Sequence, residues 1–231
     1  MECQFSFTVF LIYQRLQIIN NLLNETSSKV NVQTRKEYSK LTFMKDVQIV
    51  KTKQLPASVI LKKIETLMQV HDSIVDAASD LNDIYSFQIL ICLSVMFIKT
   101  VFAVFFSYFE LLVLGKTEFF LNWFFWIVID WNEILLITVT CHLATGQSQQ
   151  TGIEVHKMLM NSQDSTVRDK LMVFSQQIFH RPIDFTACGL FSINAELIFT
   201  ILGSATTYLL IMLQFQEGNE ANCIIANSTV Q

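Results

Sequence analysis

Charge is scarce in this chain: Asp, Glu, Lys and Arg make up 16% of its 231 residues, where a soluble domain carries about a quarter. A water-facing surface of ordinary composition is therefore excluded. Basic residues are not in excess either, with Lys plus Arg at 16 against 20 for Asp plus Glu and a formal net charge of −4. Without a cationic excess no counterion-release term exists to hold a polyanion, so nucleic acid is not an expected partner. Glycine numbers only six, too little material for a phosphate-cradling loop. The five cysteines, Cys3, Cys92, Cys141, Cys188 and Cys223, are too scattered for a C-x-x-C pair, a zinc site or a disulfide framework. Neither H-E-x-x-H nor a nucleophile-and-base arrangement occurs, so no catalytic residues are assigned, and neither cofactor nor metal is expected. The amino terminus lacks the basic n-region and small-residue cleavage site of a secretory signal.

What the chain has instead is hydrocarbon. Apolar residues make up 52% and gather in long runs. Residues 87–114 carry only Lys99 and Glu110 as charges, 119–144 only Asp130 and Glu133, and 190–215 only Glu196. A helix rises about 1.5 Å per residue, so roughly 20 residues cross a hydrocarbon core of ~30 Å, and all three runs exceed that. The link 115–118 forces the first two into an antiparallel hairpin. A shorter run, 5–13, continues into 14–24 with apolar residues at helical spacing and reads as the end of a fourth span. On that reading the sequence begins partway through a longer protein, or comes from a truncated product. The fold class is all-α: a polytopic membrane protein with three complete transmembrane helices, the end of a fourth, and cytoplasmic anchor helices.

Basic residues near the spans are retained on the cytoplasmic side. Ten lie in 14–86, one in 115–118, four in 145–189 and none in 216–231. One arrangement satisfies all four counts: long loops inside, hairpin link and carboxyl terminus outside. G-protein-coupled receptors end in the cytoplasm, so the count argues against that class. The segments are then 1–23, the end of a span entering the cytoplasm; 24–55, a cytoplasmic linker; 56–86, an anchor helix; 87–114 and 119–144, spans; 145–189, further anchor helices; 190–215, the last span; and 216–231, an extracellular tail.

Within 56–86, after Pro56, a good first-turn residue, Ile60, Ile64, Leu67, His71, Ile74, Ala78, Leu81 and Tyr85 recur at alternating steps of four and three, a coiled-coil-like seam that runs without a breaker into the span. Asp72, Asp76, Asp80 and Asp83 fall beside it. His71 with Asp72 and Asp76 reads either as a seam histidine beside a solvated acidic face or as a metal or acid/base cluster; no second set of ligands supports the latter. A second amphipathic stretch, 153–160, precedes 165–179, which Pro182 should terminate.

Charges inside spans usually face a partner or a watery cavity. Folding the hairpin about Lys116 sets Lys99 at the depth of Glu133, with Asp130 one turn away: either an ion pair tying two helices together or the polar wall of a ligand cavity. Tyr108, Trp123 and Trp126 lie in the outer half of that hairpin, as ligand contacts or as interfacial anchors. In the last span Glu196, Thr200, Gly203, Thr207 and Gln214 form a polar and small-residue stripe interrupted only by Leu210, so this face meets another helix or a water-filled path.

The end of that span, Thr207-Tyr208-Leu209-Leu210-Ile211-Met212-Leu213-Gln214-Phe215, resembles the T-Y-(five apolar)-Q-F signature that closes the last span of insect gustatory receptors. Leu190-Phe191-Ser192-Ile193-Asn194, and Leu81-Asn82 with Tyr85-Ser86 and Gln88, resemble family segments at the expected places. The resemblance covers the carboxyl-terminal part of a seven-span receptor, from the end of the fourth span onward. It implies a tetrameric, ligand-gated, non-selective cation channel in the plasma membrane, homomeric or with other receptor subunits, that detects a small-molecule tastant and ends outside the cell. The last helix of each subunit would line the pore, which puts Thr200, Gly203, Thr207, Tyr208 and Leu210 along it and Gln214 and Phe215 at the outer gate. Tyr108, Trp126 and Asp130 are the candidates for a ligand pocket, much of which the family builds from spans that this sequence does not contain. An odorant receptor of the same superfamily is the nearest alternative, disfavoured by the intact Thr207-Tyr208; a truncated, non-conducting assembly subunit is another. Asn227-Ser228-Thr229 is a sequon on the expected outer side, whereas Asn24-Glu25-Thr26 falls on the cytoplasmic side and should stay bare.

Overall fold

Long apolar-periodic stretches with almost no proline give long helices, and the computed structural model, which describes residues 2–42, 57–112 and 117–228, is 90% helical. Helix α1 spans Glu2–Thr42, α2 Ala57–Leu112, α3 Thr117–Asn161, α4 Ser165–His180 and α5 Ala195–Ser228, with short strands β1 (Thr186–Ala187) and β2 (Phe191–Ser192) before α5. Among the described residues three stretches are long and apolar enough to cross a membrane: Ser58–Leu111, Leu121–Asn161 and Ala195–Gln216.

The helices overrun the segment boundaries that hydrophobicity suggests. The linker expected at 24–55 is helical as far as Thr42; its remainder, Pro56, and Gly115 and Lys116 of the hairpin link lie outside the described residues. Helix α3 passes through position 144 without a break and ends at Asn161. The stretch expected as a tail at 216–231 stays within α5 up to Ser228. Nothing in these sequences stops a helix, so the backbone keeps its hydrogen bonds beyond the point where the side chains turn polar.

Two compact units divide the chain: one comprises Met1–Ser6, Tyr85–Val139 and Thr186–Gln231, the other Phe7–Ile84 and Thr140–Phe185. The second has a core of Ile19 and Leu23 from α1, Ile60, Ile64 and Leu67 from α2, Val155 and Met158 from α3, and Val167, Leu171, Phe174 and Ile178 from α4. The four α4 residues recur at steps of four, three and four, one stripe of an amphipathic helix; each buried side chain of this size contributes roughly 1.5–3 kcal/mol. Asp164 caps α4, its carboxylate accepting from Thr166 N at 2.9 Å and Val167 N at 3.5 Å. At the other end Arg181 is the C-cap, and Pro182, which has no N–H to donate, follows. Asn20 of α1 donates to Gln147 of α3 twice, to its backbone oxygen at 3.0 Å and to Oε1 at 2.9 Å.

In the first unit β1 and β2 pair antiparallel, Thr186 with Ser192 and Ala187 with Phe191. The reversal uses two consecutive left-handed residues, Cys188 at φ 53° and Gly189 at φ 69°, and Leu190 N donates to Ala187 O at 3.0 Å. That double positive φ matches the hairpin twist. The last span therefore starts later than its apolar run: Leu190 to Ser192 are used by the hairpin, and Asn194 Oδ1 accepts from Glu196 N at 3.0 Å and Leu197 N at 3.2 Å as the cap of α5.

Candidate functional site

Three features of the first unit bear on function. The first is an apolar cavity of about 540 Å³, within the roughly 300–1,000 Å³ range of small-molecule sites, lined by α2 from Leu93 to Phe102, by Phe191 of β2, and by Tyr208 and Met212 of α5. Tyr208 and Met212 stand one turn apart and so share a helix face. The Tyr208 ring meets Phe97 edge to face, centroids 5.8 Å apart, a favoured aromatic arrangement.

The second is a charge inside the hairpin. Lys99 Nζ lies 2.6 Å from Asp130 Oδ1, and the Asp130 side chain is 6% exposed against 50% for Lys99. Depth alone set Lys99 opposite Glu133; the ammonium reaches Asp130, one turn away. The carboxylate thus gains a cation where desolvation would otherwise be most costly. Trp123 stacks on Phe106 at 5.7 Å and Trp126 packs edge-on to Phe125 at 6.5 Å. Tyr108 and Trp126 are exposed, and none of Tyr108, Trp126 and Asp130 lines the cavity.

The third is the face of α5. Glu196, Thr200, Gly203, Thr207, Leu210 and Gln214 are all exposed, as are Tyr208 and, at 72%, Phe215. Only 6% of this span's most apolar stretch is buried, against 33% in each of the other two. Thr200 and Thr207 turn their hydroxyls onto the carbonyls of Glu196 and Gly203, at 3.2 and 3.0 Å, so these two donors are satisfied within the helix. Asn227 falls in the last turn of α5.

The seam histidine lies in the second unit. His71 is 1% exposed and neither ring nitrogen has a hydrogen-bond partner among the described residues; its ring meets Phe174 of α4 edge-on at 5.7 Å. Burial lowers its pKa from 6.5 to about 4, opposed by the charge of Asp72 and assisted by that of Arg181. Arg181 bridges both neighbouring carboxylates, at 2.5 Å to Asp72 and also to Asp76; these pairs raise its own pKa further. The acidic face that reads as plain solvated charge is in part a clamp on the end of α4. Among the described residues no group of three or more His, Cys, Asp or Glu could hold a metal ion. Sequence reasoning missed the cavity and the hairpin. Gly189 ahead of an apolar run is the one sign of the turn, and side-chain periodicity carries no signal for a void.

An all-helical, polytopic membrane protein is the class these elements define. Residues 2–219 match the family described as 7tm Chemosensory receptor, and the chain belongs to that family, with the insect gustatory receptors. It is 31% identical to gustatory receptor 28b of Drosophila melanogaster over 94% of this chain and 48% of that protein. It is 25% identical to the gustatory receptor for bitter taste 66a of the same organism, over 71% of this chain and 33% of that one. With the gustatory receptor for sugar taste 43a, also of that fly, it shares 25% identity over 68% of this chain and 36% of that one. The chain spans about half the length, or less, of these curated relatives. The solved structure of the insect olfactory receptor OR5 from Machilis hrabei, in complex with eugenol, has the same fold, with a TM-score of 0.56 at 12% identity over 93% of this chain and 69% of that one.

Proposed function

We propose that this chain is the pore-and-anchor portion of a gustatory chemoreceptor, a subunit of a tetrameric, non-selective cation channel opened by a small-molecule tastant at the plasma membrane. The observation that carries the reading is the exposed stripe of α5. A span that presents two threonines, a glycine and a glutamine along one face, with 6% of its apolar stretch covered, is penalised if that face meets lipid. It calls for a neighbouring helix or an aqueous path, and a pore shared by subunits supplies both. In this reading Thr200, Gly203, Thr207 and Gln214 face the conduit, and Leu210 and Phe215 narrow it, apolar side chains blocking ions by dewetting until the helix moves. The seam of α2 and the α4 clamp belong to the anchor on the cytoplasmic side, and the carboxyl terminus lies outside. Lys99 and Asp130 hold the hairpin, with Tyr108 and Trp126 toward its outer end. Relatives named for taste and the intact Thr207-Tyr208 favour a gustatory over an odorant receptor.

The test is electrical. The complete gene product, expressed in oocytes, should pass a tastant-evoked cation current, and Gln214→Ala or Phe215→Ala should alter conductance or leak at equal surface abundance. Water-soluble thiol reagents should reach cysteines placed at 200, 203 and 207. Normal surface abundance with no current, and a stripe sealed from reagent, would leave a non-conducting assembly subunit in its place.

A further inference from the structure

We infer that the cavity between α2 and α5 is a lipid site, filled by an acyl chain of a membrane phospholipid that enters sideways from the bilayer. Its lining is hydrocarbon and aromatic, from Leu93, Phe97 and Val101 on one wall to Phe191, Tyr208 and Met212 on the other, and it contains no charged residue. The lone small polar residue, Ser94, has its hydroxyl committed to Leu90 O at 2.7 Å. That leaves the Tyr208 phenol as the single polar handle. Such a lining selects for methylene chains; it holds no charge to meet a carboxylate and too few polar groups to hold a polyol.

The mouth identifies the source. Ile91, Val95, Ile98 and Phe102 are exposed at steps of four, three and four along α2, and Ile98 and Phe102 also line the cavity. The cavity is thus continuous with an apolar helix flank inside a stretch long and apolar enough to cross a membrane. In a bilayer that flank is bathed in acyl chains, which need only bend inward to fill the space. Left empty, the lining would forfeit its dispersion contacts. Because one wall is α5, an occupant sets how closely Tyr208 and Met212 approach Phe97. That consequence for gating rests on the pore reading of α5; the binding itself does not.

The experiment reads binding without current. The chain, in membranes doped with a phosphatidylcholine bearing a diazirine on its acyl chain, is irradiated and its peptides are analysed by mass spectrometry. Label should concentrate on 93–102 and 208–212, above the exposed apolar positions Leu135, Leu136, Val139 and Leu143 of α3, by about four-fold, the equivalent of one buried methylene. Ser94→Trp and Met212→Trp fill the space from opposite walls. Each should bring cavity labelling down to the α3 level while α3 labelling and helical content hold, and either variant suffices if the other fails to fold. Even labelling of all apolar faces would overturn the proposal, as would tryptophan variants that keep the label, or cross-links from these positions to a second protein chain. A channel recording with no current would leave the lipid site standing, and even labelling would leave the pore reading standing.

Discussion

The Lys99 ammonium lies 2.6 Å from Asp130 Oδ1, joining α2 to α3 across the hairpin. Removing the carboxylate strands a cation. Breaking a buried pair costs about 3–5 kcal/mol, and because Lys99 lies within a span its uncovered half gains no screening from bulk water, so Asp130→Ala is expected to cost an amount in that range. Membrane abundance and detergent melting should both fall. The double exchange Lys99→Asp with Asp130→Lys should recover more of that loss than an exchange of Lys99 with Glu133, which checks the partner and not merely the charge.

His71 predicts an acid sensitivity. Its folded pKa, about 4, lies below the ordinary 6.5, so the unfolded chain takes up a proton first as pH falls. The stability tied to the neutral ring is whole above pH 6.5 and is lost as pH drops toward 4, by at most about 3 kcal/mol at 1.36 kcal/mol per unit. Melting temperatures between those values should slope downward with acidification in the native chain and less steeply in His71→Leu.

Two helical glycines should behave differently. A Cβ at Gly152 would sit 3.5 Å from Ile178 Cγ2, an ordinary contact, and one at Gly203 would meet nothing within 4 Å. Helix propensity then favours Ala at both by about 1 kcal/mol, so neither change should lower abundance. If Gly203 faces a pore, Gly203→Ala changes unitary conductance in the complete receptor while Gly152→Ala does not; equal currents from both would remove Gly203 from the conduit.

The turn before α5 offers a fourth measurement. Cys188 holds φ 53°, a conformation that costs an L-residue roughly 1–2 kcal/mol. Cys188→Gly should relieve part of that strain and Gly189→Ala, at φ 69°, should add about 1 kcal/mol. Opposite shifts in thermal stability would verify the hairpin, and shifts of the same sign would contradict it.

The helices were legible because their signal is long. Ile60, Ile64, Leu67, His71, Ala78 and Leu81 are buried as the seam predicts, while Val75 takes the buried place expected of Ile74, which is half-buried. A straight helix turns 3.6 residues per turn, and a strict seven-residue repeat drifts off its face by ~20° per heptad. The spans were found by length and composition, which mark apolar runs but not caps, so the start of α5 at Ala195 depended on Asn194 and on a hairpin whose Cys-Gly turn lacks the usual Asn or Asp. The pairing of Arg181 with Asp72 and Asp76 joins residues more than a hundred positions apart, and no local pattern encodes it. Tyr208 shows a further limit: its motif marks it as belonging to α5, yet only coordinates reveal that its ring rests on Phe97.

The bareness of α5 bears on how such a receptor is made. On the proposed pore reading, a helix that finds almost no cover among the described residues stays unfinished until the subunits that share the conduit meet it by lateral diffusion. Maturation then becomes a second-order event, quickening with the density of newly inserted chains. Cells that express few copies would carry a larger fraction of orphans for quality control to remove.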